Sequence, residues 1–458
     1  MAGEEFEELS KAELIELILR QAEQLAKVQA DYEALKLKFE ENSRPPTSSK
    51  NSSQPPSRDQ KGNKPKDRRK RRHGPPLGHE KHERQFVAEA DEVVKVRPQS
   101  CCTCDADLIA ESGHLVKVNQ ITELPEAKAE VIEVRQYEVV CPDCQQAQVQ
   151  APPAGLEMER AFGARLEATV VYYRQEQHMS YVRTCAALQN LHGVEISQGG
   201  IDKIMQRAGS KAIEEVQTIE HEIRQSTVIH SDETGSRVDG NNWWQWVFCS
   251  LTAVLHVIRF NRSVDVVKDV MGEHEAEVWV SDCYLPQMKA PAKQHQLCLA
   301  HQLRNLQAVV EQDPKHFWAR HVHILLRYAI HVHNQRHALS AAAFLNRVAR
   351  IERRFDQLLK RNLDPPEARR LQRRYQKYRD AIFVFLYRTD VSPTNNISER
   401  YLRPAVIHRK VSGGFRSDWG AKGYAASKSL IDTGALSGTA PFDVIQKLLG
   451  TPALPLGV

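Results

Sequence analysis

The chain has 458 residues, a net charge of +5, 41% hydrophobic residues and nine cysteines. This length allows two or three domains with cores of their own, and no apolar run is long enough to cross a lipid bilayer. The acidic N-terminus lacks the apolar segment of a signal peptide, so we expect a cytoplasmic protein whose cysteines bind metal or stay free thiols.

Residues 10–41 have the spacing of a heptad helix. Ser10 and Glu13 match a capping box, and apolar residues then recur at steps of four and three, with Gln21 in the one polar slot. Such a helix either docks on its own core or pairs two chains, and the charged flanks favour a coiled coil and therefore a homo-oligomer. The seam consists of Leu14, Ile18, Leu25, Val28, Tyr32, Leu35 and Phe39.

Residues 42–79 read as a disordered, Pro/Ser-rich linker that ends in a basic run. Between Lys61 and His73 there are eight Lys/Arg residues and one acidic residue, Asp67. A charge run is either solvated or in contact with a partner, and its density before a cysteine module favours contact with DNA phosphates. The predicted DNA contacts are Arg68, Arg69, Lys70, Arg71 and Arg72.

Residues 80–152 contain two CxxC motifs, Cys101–Cys104 and Cys141–Cys144. Four thiolates in two tight turns are the ligand set of a tetrahedral structural zinc, and the intervening residues 116–140 read as strands, so a zinc ribbon is predicted. Cys102 leaves open which cysteines of the first motif bind. The alternative is two unrelated turns with reduced thiols.

Residues 154–226 are helical by periodicity, with a break at His192–Gly193 and a second helix starting near Ser197. This pattern fits a helix-turn-helix that binds DNA, and it fits equally well two packed helices without a DNA role.

Residues 227–285 change to the periodicity of β-strands. Apolar runs at 243–250, 253–260 and 277–283 follow the segment VIHSD, with a helix predicted at about 262–272. The first and fourth strands both end in Ser-Asp, at Asp232 and Asp282. This order predicts an α/β layer of the RNase-H-like kind within a multidomain protein, with the catalytic domain at 227–450.

Residues 286–388 are predicted to be a helical, basic insertion. From Gln302 to Arg388 there are 18 Lys/Arg residues against 7 Asp/Glu, a charge balance that favours nucleic acid. A further helix opens at Asn395-Asn396-Ile397-Ser398-Glu399 and is followed by the Gly-rich turn SGGFRS at 412–417.

Three carboxylates, Asp232, Asp282 and Glu399, suit two Mg²⁺ or Mn²⁺ ions that catalyse phosphoryl transfer, because these ions prefer oxygen ligands. Each carboxylate also has a structural explanation: the two Asp residues can cap turns, and Glu399 can form a capping box with Asn396. Nearby basic residues suit phosphates or simply a helix surface: Arg400, Arg403, Arg409 and Lys410.

The sequence resembles the insertion-sequence-66 family of bacterial transposases over nearly its full length. The resemblance rests on SRPPTSSKNSSQPPS, the paired CxxC motifs, HSDET, VSDCY, CLAHQLRN, NNISERYLRP and RKVSGGFRS. It implies an Asp-Asp-Glu triad of Asp232, Asp282 and Glu399 on an RNase-H-like fold. It also implies zinc at Cys101, Cys104, Cys141 and Cys144.

The resulting prediction is a nucleoid-associated DNA transposase. It would bind terminal inverted repeats and target DNA and would cleave and join strands, and accessory proteins of the same element are further candidate partners. The alternatives are a catalytically inactive zinc-containing DNA-binding protein and a nuclease that does not join strands. Cys298 and His301 resemble a C-x-x-H element of related transposases, and a packing role is equally compatible.

Overall fold

The computed structural model describes residues 21–25, 27–29, 31–33, 84–153, 156–157, 160–363 and 366–450. The first three segments are helical, and the seam residues Leu25, Val28 and Tyr32 are 70%, 67% and 63% exposed. These side chains are therefore not packed against the described part of the chain. The coiled coil stays a prediction, and the rest of the heptad and the basic run at 61–73 lie outside the described residues.

The cysteine-containing segment holds one small hairpin, formed by β1 (Glu138–Val140) and β2 (Ala147–Val149) around the second CxxC motif. The predicted strands over 116–140 are therefore wrong except at the end of that range. The physical reason is burial: Val116 and Val131 are 85% and 95% exposed, so no core covers an apolar strand face there.

Three helices follow: α1 (Ala164–Gln175), α2 (Tyr181–His192) and α3 (Gln198–Gln225). The α2 helix ends at Gly193, whose φ of 67° is left-handed and whose N–H donates to the carbonyls of Leu188 and Gln189. The α3 helix begins where the Ser197 hydroxyl accepts the N–H of Gly200. The turn between α2 and α3 thus lies at the predicted break.

A five-stranded sheet forms the centre of the molecule, in the order β5-β4-β3-β6-β7. The pairs β3–β4 and β4–β5 are antiparallel, whereas β3–β6 and β6–β7 are parallel. Helix α4 connects β5 to β6. This mixed α/β layer is compatible with the predicted RNase-H-like core. The bounds are Val228–Val238 for β3, Asn241–Cys249 for β4, Val254–Arg259 for β5, Val264–Met271 for α4, Ala276–Ser281 for β6 and Ala292–Leu297 for β7.

Two features of this sheet differ from the sequence prediction. Strand β3 does not end at Asp232 but continues to Val238, because Asp239-Gly240 closes a two-residue hairpin with β4. Both turn residues have positive φ, 47° and 73°, as a type I′ turn requires. In addition, β7 lies inside the predicted helical insertion: its parallel pairing with β6 makes a strand of a polar segment without apolar alternation.

The rest of the insertion is helical as predicted, and its apolar residues form one core cluster with strands β3, β6 and β7. Fully buried members include Trp318, Phe355 and Tyr375, so the insertion is packed onto the central sheet. The helices are α5 (Leu299–Gln312), α6 (Phe317–Asn334), α7 (Ala341–Leu359), α8 (Pro366–Lys377) and α9 (Val384–Tyr387).

The chain returns to the sheet through α10 (Asn396–Ser412), α11 (Asp418–Leu436) and α12 (Pro441–Leu449). The Gly-rich turn between α10 and α11 pairs with the end of β3, because Phe415 and Arg237 share a backbone hydrogen bond. Gly414 has a φ of 119°, and a Cβ there would lie 2.6 Å from the Arg237 carbonyl oxygen. Only glycine fits this contact.

None of the helices in the described segments combines the length and the apolar character that crossing a membrane requires.

Candidate active site

Strands β3 and β6 bring Asp232 and Asp282 to one side of the sheet. The strands are parallel and pair at His230–Val280, and each aspartate lies two residues beyond that pair, on the same face. The Asp232 carboxylate accepts the backbone N–H of Glu233 at 2.9 Å, and that of Asp282 accepts the N–H of Tyr284 at 2.8 Å.

Glu399 approaches the same face from the first turn of α10. The start of this helix is tied to β3 by Asn395, which is fully buried. Its side-chain amide donates to the Ser231 carbonyl at 2.7 Å, and its side-chain oxygen lies 3.2 Å from Nδ1 of His230. The alternative explanation of Glu399, a capping box with Asn396, is therefore wrong: Asn395 is the N-cap, and its side chain bonds to β3 instead of to the helix.

Like charges surround Asp232 on this face, whereas Glu399 has Arg304 beside it. Burial raises the pKa of Asp232 well above its ordinary value, and the negative charges of Glu233, Asp282 and Glu399 raise it further. The three predicted ligands do not form a group within 4.8 Å of one another among the described residues. Asp282 and Glu399 are nevertheless close enough to Asp232 for their charges to raise its pKa.

Glu233, which the sequence analysis did not single out, lies on the opposite face of β3 and is buried in an ion-pair network. Arg262 donates to its Oε1 from Nε at 2.9 Å and from Nη2 at 2.5 Å, and Gln287 donates to its Oε2 at 2.6 Å. The Arg262 guanidinium also packs on the rings of Trp244 and Tyr284, at 4.4 and 3.9 Å.

This network also holds the segment that follows Asp282. Gln287 lies in a short 3₁₀-helix after β6 and hydrogen-bonds with the Ser231 hydroxyl. The Tyr284 hydroxyl donates to the Arg262 carbonyl at 2.9 Å. The loop that carries Asp282 is thus connected to both ends of the Ser231–Glu233 segment of β3. Within the sequence, only the presence of Glu233 in the HSDET motif pointed to this network.

Helix α5 places further polar groups against Glu399. Cys298, His301 and Glu399 offer a sulfur, a ring nitrogen and a carboxylate oxygen that all lie within 4.8 Å of one another. Nδ1 of His301 is 3.6 Å and Nη2 of Arg304 is 3.3 Å from Oε1 of Glu399. The sequence placed Cys298 and His301 one helical turn apart, but it did not place them beside Glu399.

The two CxxC motifs form matching tight turns. In each, the backbone N–H four residues after the first cysteine donates to that cysteine's carbonyl at 2.9 Å. Backbone hydrogen bonds from Thr103 and Cys104 lower the pKa of Cys101, and those from Cys144 and Asp143 lower the pKa of Cys141. This donor set fits zinc chemically. In the described segments, however, the two turns do not bring three of the four sulfurs within 4.8 Å.

The predicted DNA-contacting residues of α10 differ in their surroundings. Arg400, Arg403 and Lys410 are exposed, as a role beside phosphates requires. Arg409 is half-buried and donates a hydrogen bond to the Gly235 carbonyl of β3. Its guanidinium therefore links α10 to the sheet.

The mixed sheet carries Asp232 within β3 and Asp282 directly after β6, and α10 brings Glu399 towards them; the family comparison indicates that the protein is a DNA-processing enzyme. The sequence profile described as transposase IS66 family matches residues 159–423, more than half of the chain. The chain belongs to the IS66 family of transposases, which confirms the resemblance stated from the sequence. No curated protein sequence matches the chain significantly.

Proposed function

We propose that this protein is a DDE transposase in which Asp232, Asp282 and Glu399 hold divalent metal ions for DNA strand cleavage and transfer. The observation that carries the proposal is the approach of these three carboxylates to one face of the sheet, where the pKa of Asp232 is raised by burial and by its like-charged neighbours. Family membership supports a transposase and the use of a divalent metal.

Two bound Mg²⁺ or Mn²⁺ ions would supply the positive charge that activates the attacking oxygen and stabilises the leaving oxygen. The side chains of the protein would hold and orient these ions. Asp232 is placed by β3, Asp282 by β6 and its loop, and Glu399 by the Asn395 tether. Arg304 neutralises Glu399 when no other cation does.

DNA would lie along the exposed basic residues of the insertion. Helices α7 and α8 expose many arginines that follow one another on successive turns, a surface that suits a phosphate backbone. These residues are Arg350, Arg353, Arg354, Arg369, Arg370, Arg373 and Lys377. The basic run at 68–72, the helix-turn-helix of α2 and α3 and a zinc-bound pair of CxxC turns would add contacts to the terminal inverted repeats.

Cleavage of two element ends in one assembly requires more than one subunit, and the heptad helix would supply the contact between chains. The exposed seam residues of the described helical segments support that role.

The test is a strand-transfer assay with labelled element-end DNA, Mg²⁺ and purified protein, with Asp232→Asn as the matched variant. The expected result is joined products with the wild type and none with the variant, at equal DNA binding. DNA binding without cleavage or joining by either protein contradicts catalysis by this chain alone, and favours a DNA-binding protein or a requirement for accessory proteins. Cleavage without joining indicates a nuclease.

A further inference from the structure

A second group of candidate metal ligands lies beside the proposed catalytic carboxylates, at the junction of α5 and α10. It consists of the Cys298 sulfur, a His301 ring nitrogen and a Glu399 oxygen, all within 4.8 Å of one another. Among the residues that the structure describes, no other three His, Cys, Asp or Glu ligand atoms come this close. Glu399 lies about one hundred positions beyond Cys298 and His301 in the chain, so the fold brings it to them.

The sulfur is held in place by backbone groups. Cys298 is fully buried and immediately precedes α5, and its Sγ accepts the N–H of Asn395 at 3.1 Å. Beside it, the Leu299 N–H donates to the Pro393 carbonyl at 2.9 Å. These two bonds join the start of α5 to the segment that leads into α10. The backbone positions of Cys298 and of the start of α10 are therefore fixed relative to each other.

One ring nitrogen of His301 faces Glu399 and has no hydrogen-bond partner. Its Nδ1 is buried, makes no hydrogen bond and lies 3.6 Å from Glu399 Oε1. A buried polar atom without a partner is costly, and a bound cation would satisfy it. Arg304, which now contacts Glu399, is 41% exposed and long enough to turn into solvent.

We propose that Cys298, His301 and Glu399 form a binding site for a thiophilic divalent cation such as Zn²⁺. One sulfur, one imidazole and one carboxylate suit Zn²⁺ and leave its fourth position open, whereas Mg²⁺ requires oxygen ligands. The site shares Glu399 with the proposed catalytic triad. On the basis of the proposed function, Zn²⁺ bound here withdraws Glu399 from Mg²⁺ and inhibits strand transfer.

Co²⁺, a coloured substitute for Zn²⁺, tests the site in the full chain. Cys101, Cys102, Cys104, Cys141 and Cys144 are first changed to Ser, so that the CxxC turns contribute no thiolate. This five-serine variant should bind one Co²⁺ and show a thiolate-to-cobalt absorption band. Adding Cys298→Ser should abolish the band, adding His301→Asn should shift or weaken it, and adding Cys185→Ser, which changes a half-buried cysteine of α2, should leave it unchanged.

Absence of the band from the five-serine variant overturns the proposal, and this measurement keeps Cys298 intact in case Cys298→Ser fails to fold. An unchanged band after Cys298→Ser, in protein with a native circular dichroism spectrum, overturns it as well. The proposed Zn²⁺ site and the proposed transposase function can be rejected independently of each other. Asp232→Asn should keep the cobalt band while it loses strand transfer, and a band without strand transfer in the wild type rejects only the transposase activity of the isolated chain.

Discussion

Asp232 and Glu233 are neighbours in the chain, but they lie on opposite faces of β3, and only Glu233 has a cationic partner. Both oxygens of Glu233 are paired, one with Arg262 and one with Gln287. Asp232 accepts a backbone N–H, and among the described residues no cationic side chain pairs with it. The comparison teaches that a buried carboxylate with its own cation serves the structure, whereas a carboxylate that has like charges but no cation beside it is available for a metal ion.

The largest expected effect separates these two roles directly. Asp232→Asn should lower strand transfer by about a thousandfold, because metal charge at the reacting oxygens is worth several kcal/mol. The substitution removes like-charge repulsion, so the melting temperature should stay equal or rise. Strand-transfer rates and thermal unfolding measure both quantities. Full activity of Asp232→Asn would remove this residue from the proposed triad.

The second expected effect concerns the face of β3 on which Glu233 is paired with Arg262. Arg262→Met leaves Glu233 buried without its cation and should lower the free energy of unfolding by about 3 kcal/mol. The double variant Arg262→Met/Glu233→Gln should recover much of this loss, because no buried charge remains. Urea denaturation of the wild type, the single variant and the double variant provides the comparison. An equal loss in the single and double variants would show that Arg262 acts through packing on Trp244 and Tyr284 and not through charge.

A smaller loss of stability is expected at Asn395, which ties α10 to β3. Asn395→Ala removes two buried hydrogen bonds to β3 and should cost about 2 kcal/mol of unfolding free energy. It should also reduce strand transfer, since Glu399 loses its fixed distance to Asp232. The exposed neighbour is the control: Asn396→Ala should change stability by less than about 0.5 kcal/mol. Equal effects of the two alanine substitutions would contradict the tether.

The smallest effect is a dependence of stability on pH. The raised pKa of Asp232 means that the folded protein retains a proton that the unfolded chain has already lost. Stability from this group is therefore fully present below the ordinary Asp pKa and is lost as the pH rises through the folded value. Glu233, whose pKa burial and Asp282 also raise, has the same sign.

Melting temperatures across the acidic range should thus fall less steeply with pH for Asp232→Asn than for the wild type. Added Mg²⁺ should stabilise the wild type at neutral pH more than the variant, because it replaces the lost proton. Parallel slopes, or equal stabilisation by Mg²⁺, would contradict a metal site at Asp232.

The local part of this protein was predictable from its sequence. The β3–β4–β5–α4–β6 order follows from apolar periodicity, the end of α2 from His192–Gly193, and the family from motifs such as HSDET and NNISERYLRP. The hairpin turn at Asp239-Gly240 is also encoded locally, although the predicted strand ended at Asp232. Strand β7 was not predictable, since its polar sequence becomes a strand only by pairing with β6.

The sequence by itself determined which carboxylates and thiols the chain contains, where most of the helices and the strands β3 to β6 form, and which family the chain belongs to. Only the tertiary structure decided their partners: Asn395 reaches His230 across 165 positions, and Arg262 and Gln287 reach Glu233 across 29 and 54. The physical reason is that helix and strand periodicity are properties of neighbouring residues. A hydrogen bond or ion pair between distant segments exists only after the sheet and its covering helices have packed.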